Sequence, residues 1–468
     1  MLTPNTDDPA LTAALAAHAL SPLDGRYAKL AAPLRDHLSE WGLMKRRILV
    51  EAEWLIFLAD EPGIAELRAL GEEEQRIVRR LASEFDDEAM AAIKAHESRT
   101  NHDLKAVELY MRDRLTEAGL GETTNFLHFA CTSEDVNNLS YALVLRDGVT
   151  EVWRPALVEL IELVEAMAGD ASALPMLSLT HGQPATPTTF GKEMAVFAAR
   201  LRRQLGLLDG QEYLGKLNGA VGTYAAHLSA YPELAWDDLS RRFVESLGLT
   251  WAPLTTQIEA HDWIGELFGA IARANGIVLD LDRDMWSYVS RRYLRQRVVP
   301  GEVGSSTMPH KVNPIAFENA EANAGLSTAI ATHMATTLAT SRLQRDLSDS
   351  SLLRNCGAVV GHSLLALKST ARGLRTVEVD PAAMERDLEQ AWEVLAEAVQ
   401  TVMRKNGSED PYEQVKKVVR GRAIDEAAIR ELIEGADLPA EDRERLLAMT
   451  PGSYVGLAPQ LARLDPGS

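Results

Sequence analysis

The sequence predicts an all-α protein whose middle is a bundle of long helices, and three observations carry that prediction. No proline occurs between Pro187 and Pro232, between Pro253 and Pro300, or between Pro314 and Pro381. Proline breaks helix interiors, so each gap has room for a very long helix. Apolar residues then step by three and four along one face. Ile264, Leu267, Ile271, Ala274, Val278, Leu281 and Met285 form one such stripe, and Met194, Phe197, Leu201, Leu205 and Leu208 another. Strand-type alternation of Val, Ile and Thr is scarce.

Taken in order, residues 1–118 read as an N-terminal helical domain with loops at Ser21–Tyr27 and Ser98–Asp103. Residues 119–375 read as the central long-helix domain. Residues 376–468 read as a C-terminal helical domain that begins near Asp380–Pro381, with Trp392, Leu395, Val399 and Val402 on one apolar face. The tail from Thr450 is rich in Pro and Gly and reads as irregular. Helices this long rarely bury every apolar face within one chain, so a homo-oligomer is expected; the plainer alternative is a monomeric helical array.

Composition narrows the function classes. The formal net charge of -20 repels nucleic acid and anionic lipid as general partners, yet leaves room for a small anionic substrate in a locally positive pocket. Two cysteines far apart, Cys131 and Cys356, fit a reducing compartment. Leu11–Leu20 follows Asp7 and Asp8 with no basic segment, so it does not read as a signal peptide. A cytoplasmic location is the expectation. No Walker loop, dinucleotide fingerprint, Cys-x-x-Cys pair or His-Glu-x-x-His is present, and no metal or organic cofactor is expected. Gly219-Ala-Val-Gly222 reads only as a loop, and Cys131 as a small buried thiol.

One segment concentrates chemistry. Gly301-Glu-Val-Gly-Ser-Ser-Thr-Met-Pro-His-Lys-Val-Asn-Pro314 lies between two long helical stretches. Its glycines permit unusual backbone angles, its prolines stop helix formation, and it crowds hydroxyls, an imidazole, an amide and a cation together. Such a loop can close over a substrate and exclude water; the plainer reading is an ordinary helix connection.

Gly304-Ser-Ser-Thr-Met-Pro-His-Lys-Val-Asn-Pro314 resembles the signature of the fumarase/aspartase superfamily. His310 before Lys311 is similar to the adenylosuccinate lyase version of that signature. Ser21-Pro-Leu-Asp-Gly-Arg-Tyr27, Thr100-Asn-His-Asp103, Ala130-Cys-Thr-Ser-Glu-Asp135, Thr180-His-Gly-Gln-Pro-Ala-Thr186, Thr255-Thr-Gln-Ile258 and Arg345-Asp-Leu-Ser-Asp-Ser350 resemble the same family in the same order. In detail they are similar to its bacterial branch, typified by the enterobacterial enzyme. The resemblance covers nearly the whole chain. It implies three helical domains, a homotetramer with a twenty-helix core, and active sites each built from three subunits. It also implies β-elimination of fumarate from adenylosuccinate, giving AMP, and from the succinylcarboxamide nucleotide SAICAR, giving AICAR.

That chemistry needs a base for the proton beside a carboxylate, an acid for the departing nitrogen, and donors for the carbanion charge. The resemblance makes Ser305 the base, with Ser306 the alternative; either could instead cap a turn. It makes His181 the acid, with Glu318 orienting it, although a glutamate there could equally be a solvated helix residue. Lys311 and Asn313 would grip the succinyl carboxylate with Thr132 and Ser133, which also read as a helix N-cap. Arg26, Tyr27, Asn101, His102, Asp103 and Gln257 match substrate-contacting positions, and His102 could instead join in proton transfer. Arg345, Ser350 and Arg354 match residues around the nucleotide phosphate and ribose; the plainer role for both arginines is pairing with acids such as Asp346 and Asp349. Two rivals remain: another lyase of the superfamily, acting on argininosuccinate or aspartate, or a non-catalytic protein reusing the fold.

Overall fold

The computed structural model describes residues 18–297, 308, 311–419 and 424–464. Ser305, Ser306 and His310 lie outside the described residues. The protein is all-α, as expected. Strands are confined, among the described residues, to three two-stranded ladders: Pro175–Thr180 antiparallel to Gln183–Thr189, Leu214–Gly215 parallel to Thr250–Trp251, and Leu294–Gln296 antiparallel to Val377–Val379. No helix among the described residues is long and apolar enough to cross a membrane.

The proline-free stretches hold the long helices Phe190–Asp209, Asp262–Ser290, Ile315–Thr337 and Cys356–Arg375. Each is shorter than its gap. The first ends at Asp209, before Gly210 and the short strand Leu214–Gly215, and the third gap is broken by the small helix Ser348–Leu353. Absence of proline permits a helix but does not propagate one. The apolar stripe read from the sequence is buried: Ile264, Leu267, Ile271, Ala274, Val278, Leu281 and Met285 are all at most 1% exposed. A further helical run, from Ser133 to Asp170, passes through a π-helical turn at Gly148–Trp153. Pro155 follows that turn and has no N–H to give the Glu151 carbonyl, which is where a wider turn relieves an α-helix.

The chain divides into two compact units. The first comprises Met1–Ala156, Gly206–Gly276 and Ala322–Ala366. Its apolar core includes Met44, Ile48, Leu55, Val107, Met111 and Leu139, and Trp54 packs edge-on against Phe243. A buried polar relay crosses this core. Trp153 Nε1 donates to Ser363 Oγ at 2.7 Å, Ser363 to Asn275 Oδ1 at 2.6 Å, Asn275 to Ser327 Oγ at 2.9 Å, and Ser327 to the Val359 carbonyl at 2.8 Å. Every polar group in it is satisfied, as burial requires.

The second unit comprises Leu157–Leu205, Ile277–Glu321 and Leu367–Ser468. Asp380 caps the helix Pro381–Glu389 with proline at its first turn, where the sequence placed the start of a helical region. Val399 and Leu395 of the expected apolar face pack with Met403, Ile429 and Ile433, while Trp392 and Val402 are partly buried against them. The tail is not wholly irregular: it contains a short 3-10 turn at Pro451–Ser453 and the helix Ala458–Leu461.

Packing in this unit is tight enough to oppose helix propensity. A Cβ added to Gly373 would sit 2.6 Å from Cε1 of Phe317, itself 1% exposed. Ala favours a helix over Gly by up to ~1 kcal/mol, but overpacking costs about 1–3 kcal/mol. Gly373→Ala is therefore expected to destabilise the protein, seen as a lower urea midpoint at fixed protein concentration; a raised midpoint would show that Phe317 can move aside.

Candidate active site

The candidate residues fall into two sets, one in each unit. In the first unit the helix Asp87–Thr100 ends at Asn101, whose backbone is left-handed at φ 50°, and the next helix starts at Asp103. The loop expected over Ser98–Asp103 is thus a two-residue junction. His102 caps the second helix, its Nδ1 accepting from the Lys105 N–H at 3.2 Å. Asp103 then points where two arginines meet it. Its Oδ2 accepts from Arg47 Nη1 and from Arg354 Nη2, each at 2.9 Å, and its Oδ1 from the Leu104 N–H at 2.8 Å.

From Arg47 the network continues. Arg47 Nε donates to Asn137 Oδ1 at 2.9 Å, and Asn137 Nδ2 to Glu134 Oε1 at 2.8 Å. Arg345 Nη2 pairs with the same Glu134 oxygen at 2.9 Å, and Arg345 Nη1 donates to Gln257 Oε1 at 3.3 Å. One line thus joins Arg354, Asp103, Arg47, Asn137, Glu134, Arg345 and Gln257. A cavity of about 270 Å³ is lined in part by Arg354, Tyr141 and His37, and a shallow cleft of about 420 Å³ by Gln257 and Leu343 to Leu347. The arginines do pair with acids, but mostly not those nearest in sequence. Asp346 is taken by Arg342 at 2.9 Å, and Asp349 lies 3.8 Å from Arg345. Asp349 also accepts from the Ser350 N–H at 2.7 Å and lies 3.4 Å from His261 Nε2.

Thr132 and Ser133 occupy the N-terminus of the helix Ser133–Asp147, and Thr132 forms a capping box with Asp135. The N-cap reading is therefore correct, and it leaves the positive end of a helix at the candidate carboxylate site. Tyr27 precedes the short helix Ala28–Ala31, and its N–H donates to the Pro22 carbonyl at 2.8 Å; Arg26 beside it is exposed.

Burial opposes ionisation of Asp103, but the charge and hydrogen bond of Arg47, joined by Arg354, bring its carboxyl down to about 2. His128, four residues before Thr132, has Nδ1 at 2.5 Å from Oε1 of Glu51, which is buried. Burial lowers the imidazole's proton affinity, yet Glu51 outweighs it and raises the pKa.

His181 belongs to the second unit. It sits at the tip of the hairpin Pro175–Thr180/Gln183–Thr189, with φ 53° followed by Gly182 at 73°. Two successive left-handed residues make the tight turn that suits strand twist, and the imidazole is exposed there. Lys311 is also exposed. Asn313 precedes the helix Ile315–Thr337, and its carbonyl accepts from the Ile315 N–H at 2.8 Å. Glu318, in the first turn, accepts from Trp286 Nε1 at 3.2 Å, and no bond to His181 occurs among the described residues of this unit.

Sequence reasoning missed Arg47, Glu134, Asn137 and the Glu51–His128 pair. A signal for two of them was present. Arg47 and Glu51 are four residues apart and interrupt the otherwise apolar face of the helix Glu40–Ala59, and buried charges are almost always paired.

The Asp103 carboxyl is depressed in the folded state, so its stabilisation is present above the unfolded pKa near 4 and is lost as pH falls toward about 2. Asp103→Asn is expected to cost on the order of 1–3 kcal/mol at pH 7, with the gap to the parent protein narrowing as pH falls from about 4 toward about 2. Urea unfolding at several pH values checks this; a gap independent of pH would mean that the charge contributes nothing.

Comparison with known proteins bears on the family. The family described as "Lyase" matches residues 25–327, and "Adenylosuccinate lyase C-terminal" matches residues 341–455. The adenylosuccinate lyase of Haemophilus influenzae is 48% identical over 95% of this chain and 97% of its own length. That of Escherichia coli K12 is 48% identical over 94% and 97%, and that of Vibrio cholerae 48% over 95% and 98%. Among solved structures, a fumarate lyase from Mesorhizobium shares the fold, with a TM-score of 0.74 at 20% identity over 92% of this chain and 96% of that one. With its expected motifs in order and near-full-length identity to these relatives, the chain belongs to the adenylosuccinate lyase family.

Proposed function

We propose that the chain cleaves adenylosuccinate to AMP and fumarate, and SAICAR to AICAR and fumarate, by β-elimination of a C–N bond. The observation that carries this is the line of charges from Arg354 to Arg345, which links four of the nucleotide-side candidates, Asp103, Gln257, Arg345 and Arg354, in one network. Arg47 and Arg354 share the single carboxylate of Asp103, so this end keeps excess positive charge. A phosphate or carboxylate needs such a place on a chain with net charge -20.

In the proposed reaction Ser305 removes the proton from the carbon next to a succinyl carboxylate. The electron pair forms the C=C bond of fumarate as the C–N bond breaks, and His181 gives its proton to the departing nitrogen. Lys311, Asn313, Thr132 and Ser133 hold the carboxylate in which the carbanion charge collects. Lys311 also lowers the cost of a serine alkoxide. Glu318 orients His181. Arg26, Tyr27, Asn101, His102, Asp103, Gln257, Arg345, Ser350 and Arg354 hold the nucleotide. No metal or cofactor takes part.

The family resemblance supports a homotetramer in which three subunits contribute to each site, with the long helices as its core and three domains bounded near residues 118 and 375. The exposed Ile315, Leu326, Val196 and Leu207 on those helices also favour covered faces. The cytoplasm is the proposed location.

Incubation with adenylosuccinate and no added metal is expected to give AMP and fumarate in equal amounts. His181→Ala and Ser305→Ala are each expected to lower turnover by roughly 10²–10⁴ with the oligomer intact. Turnover on argininosuccinate or aspartate instead would move the chain to another branch of the superfamily.

A second measurement addresses shared sites. The two inactive variants, dissociated and reassembled together, are expected to regain activity, because some hybrid sites then hold neither substitution. Recovery would fail if His181 and Ser305 of one site came from the same subunit.

A further inference from the structure

Asp135 collects more donors than a helix cap requires. A capping box uses one contact from the side chain at its third position. Here Asp135 Oδ2 accepts from the Thr132 N–H at 2.8 Å and from the Gly219 N–H at 3.1 Å. Its Oδ1 accepts from Lys216 Nζ at 2.8 Å and from the Asn218 N–H at 2.9 Å. Both Asp135 and Lys216 are wholly buried. The Lys216 N–H in turn donates to Asn138 Oδ1 at 2.8 Å, and Asn138 Nδ2 to the Lys216 carbonyl at 3.0 Å. One carboxylate therefore fastens residues 216–219 to the start of the helix that carries Thr132 and Ser133.

The fastened strip leads on to Gln257. Asn218 Nδ2 donates to Thr255 Oγ1 at 2.7 Å, and Gln257 Nε2 to the Ala220 carbonyl at 2.9 Å. The approach is close: a Cβ on Gly222, at φ +77°, would lie 2.3 Å from the Thr255 carbonyl oxygen. Gln257 is thus held by a loop that Asp135 holds. Charge-assisted bonds of this kind are roughly twice as strong as neutral ones, and they fix geometry as well as energy.

We propose that Asp135 is a positioning residue that locks Thr132 and Ser133, on the succinyl side, to Gln257, on the nucleotide side, so that both halves of the substrate meet one rigid surface. This rests on the reading above that those three residues touch substrate. Asp135 itself touches neither half; it acts through the backbone N–H groups of Thr132, Asn218 and Gly219 and through the Lys216 ammonium.

The test uses the full-length protein with Asp135→Asn, Lys216→Met and the double variant. Kinetics on adenylosuccinate and the inhibition constants of fumarate and AMP are measured per folded oligomer. Asp135→Asn is expected to lower kcat/KM about 10- to 100-fold, with the fumarate and AMP constants rising together. Unchanged constants, or a rise for one product alone, would overturn the proposal. Should Asp135→Asn fail to assemble, the double variant decides, because removing both buried charges is often tolerated. If it assembles with both constants raised, positioning holds; if its constants match the parent, Asp135 serves only to neutralise Lys216. Ser133→Ala and Gln257→Ala separate the two layers of argument. If those variants leave the product constants unchanged, the contact assignment fails on its own, whatever Asp135 does.

Discussion

The arrangement of the first unit depends on one constraint: a buried arginine must be answered by an acid. Arg47 is 2% exposed in the middle of the helix Glu40–Ala59. Leaving it unpaired would be strongly unfavourable, so Asp103 and Asn137 must approach it from two other helices. Their remaining contacts then carry the consequence outward, to Arg354 on one side and through Glu134 to Arg345 on the other. The helices that supply these residues are thereby fixed by charge as well as by apolar packing. The two arginines at the ends stay pre-oriented without being wholly buried, so little side-chain freedom is left to lose when an anion arrives.

The two sets of site residues are built on different supports. Several nucleotide-side candidates, Asn101, His102, Asp103 and Arg354 among them, stand at helix termini, where capping, the helix dipole and short junctions set direction. Of the proton-transfer candidates, His181 stands on a hairpin tip. Holding a phosphate rewards rigidity. Proton transfer rewards a group that can be brought to the substrate and withdrawn from water, which projecting segments allow.

Periodicity made the long helices legible because burial imposes the 3.6-residue stripe directly on the sequence. The stripe from Ile264 to Met285 is core at every position. The ends were less legible. Asp209 ends one helix inside a proline-free gap, and the gap after Pro314 holds three helices rather than one. Residues whose types match the family motifs, such as Asp103 and Thr132, are legible as candidates. Their partners are not, because Glu134, Asn137 and Lys216 are ordinary polar residues until the fold places them. Pro175, Pro184 and Pro187 around His181 argue against strand interiors and so hide the hairpin from the sequence; the ladder accommodates them because with only two strands each strand is also an edge.

The polar relay from Trp153 through Ser363, Asn275 and Ser327 has a consequence for how the bundle can deform. Apolar faces of neighbouring helices tolerate sliding, since one leucine can replace another at small cost. A relay of four side chains does not. Moving one helix by a single turn shifts its groups about 5.4 Å along the axis, which would strand an indole N–H, a hydroxyl and an amide in a water-free interior at once. The relay therefore acts as an alignment key. It selects one register among several that greasy packing alone would leave close in energy, and any motion the bundle makes during turnover must be a tilt or a bend that keeps those hydrogen bonds rather than a slip past its neighbours.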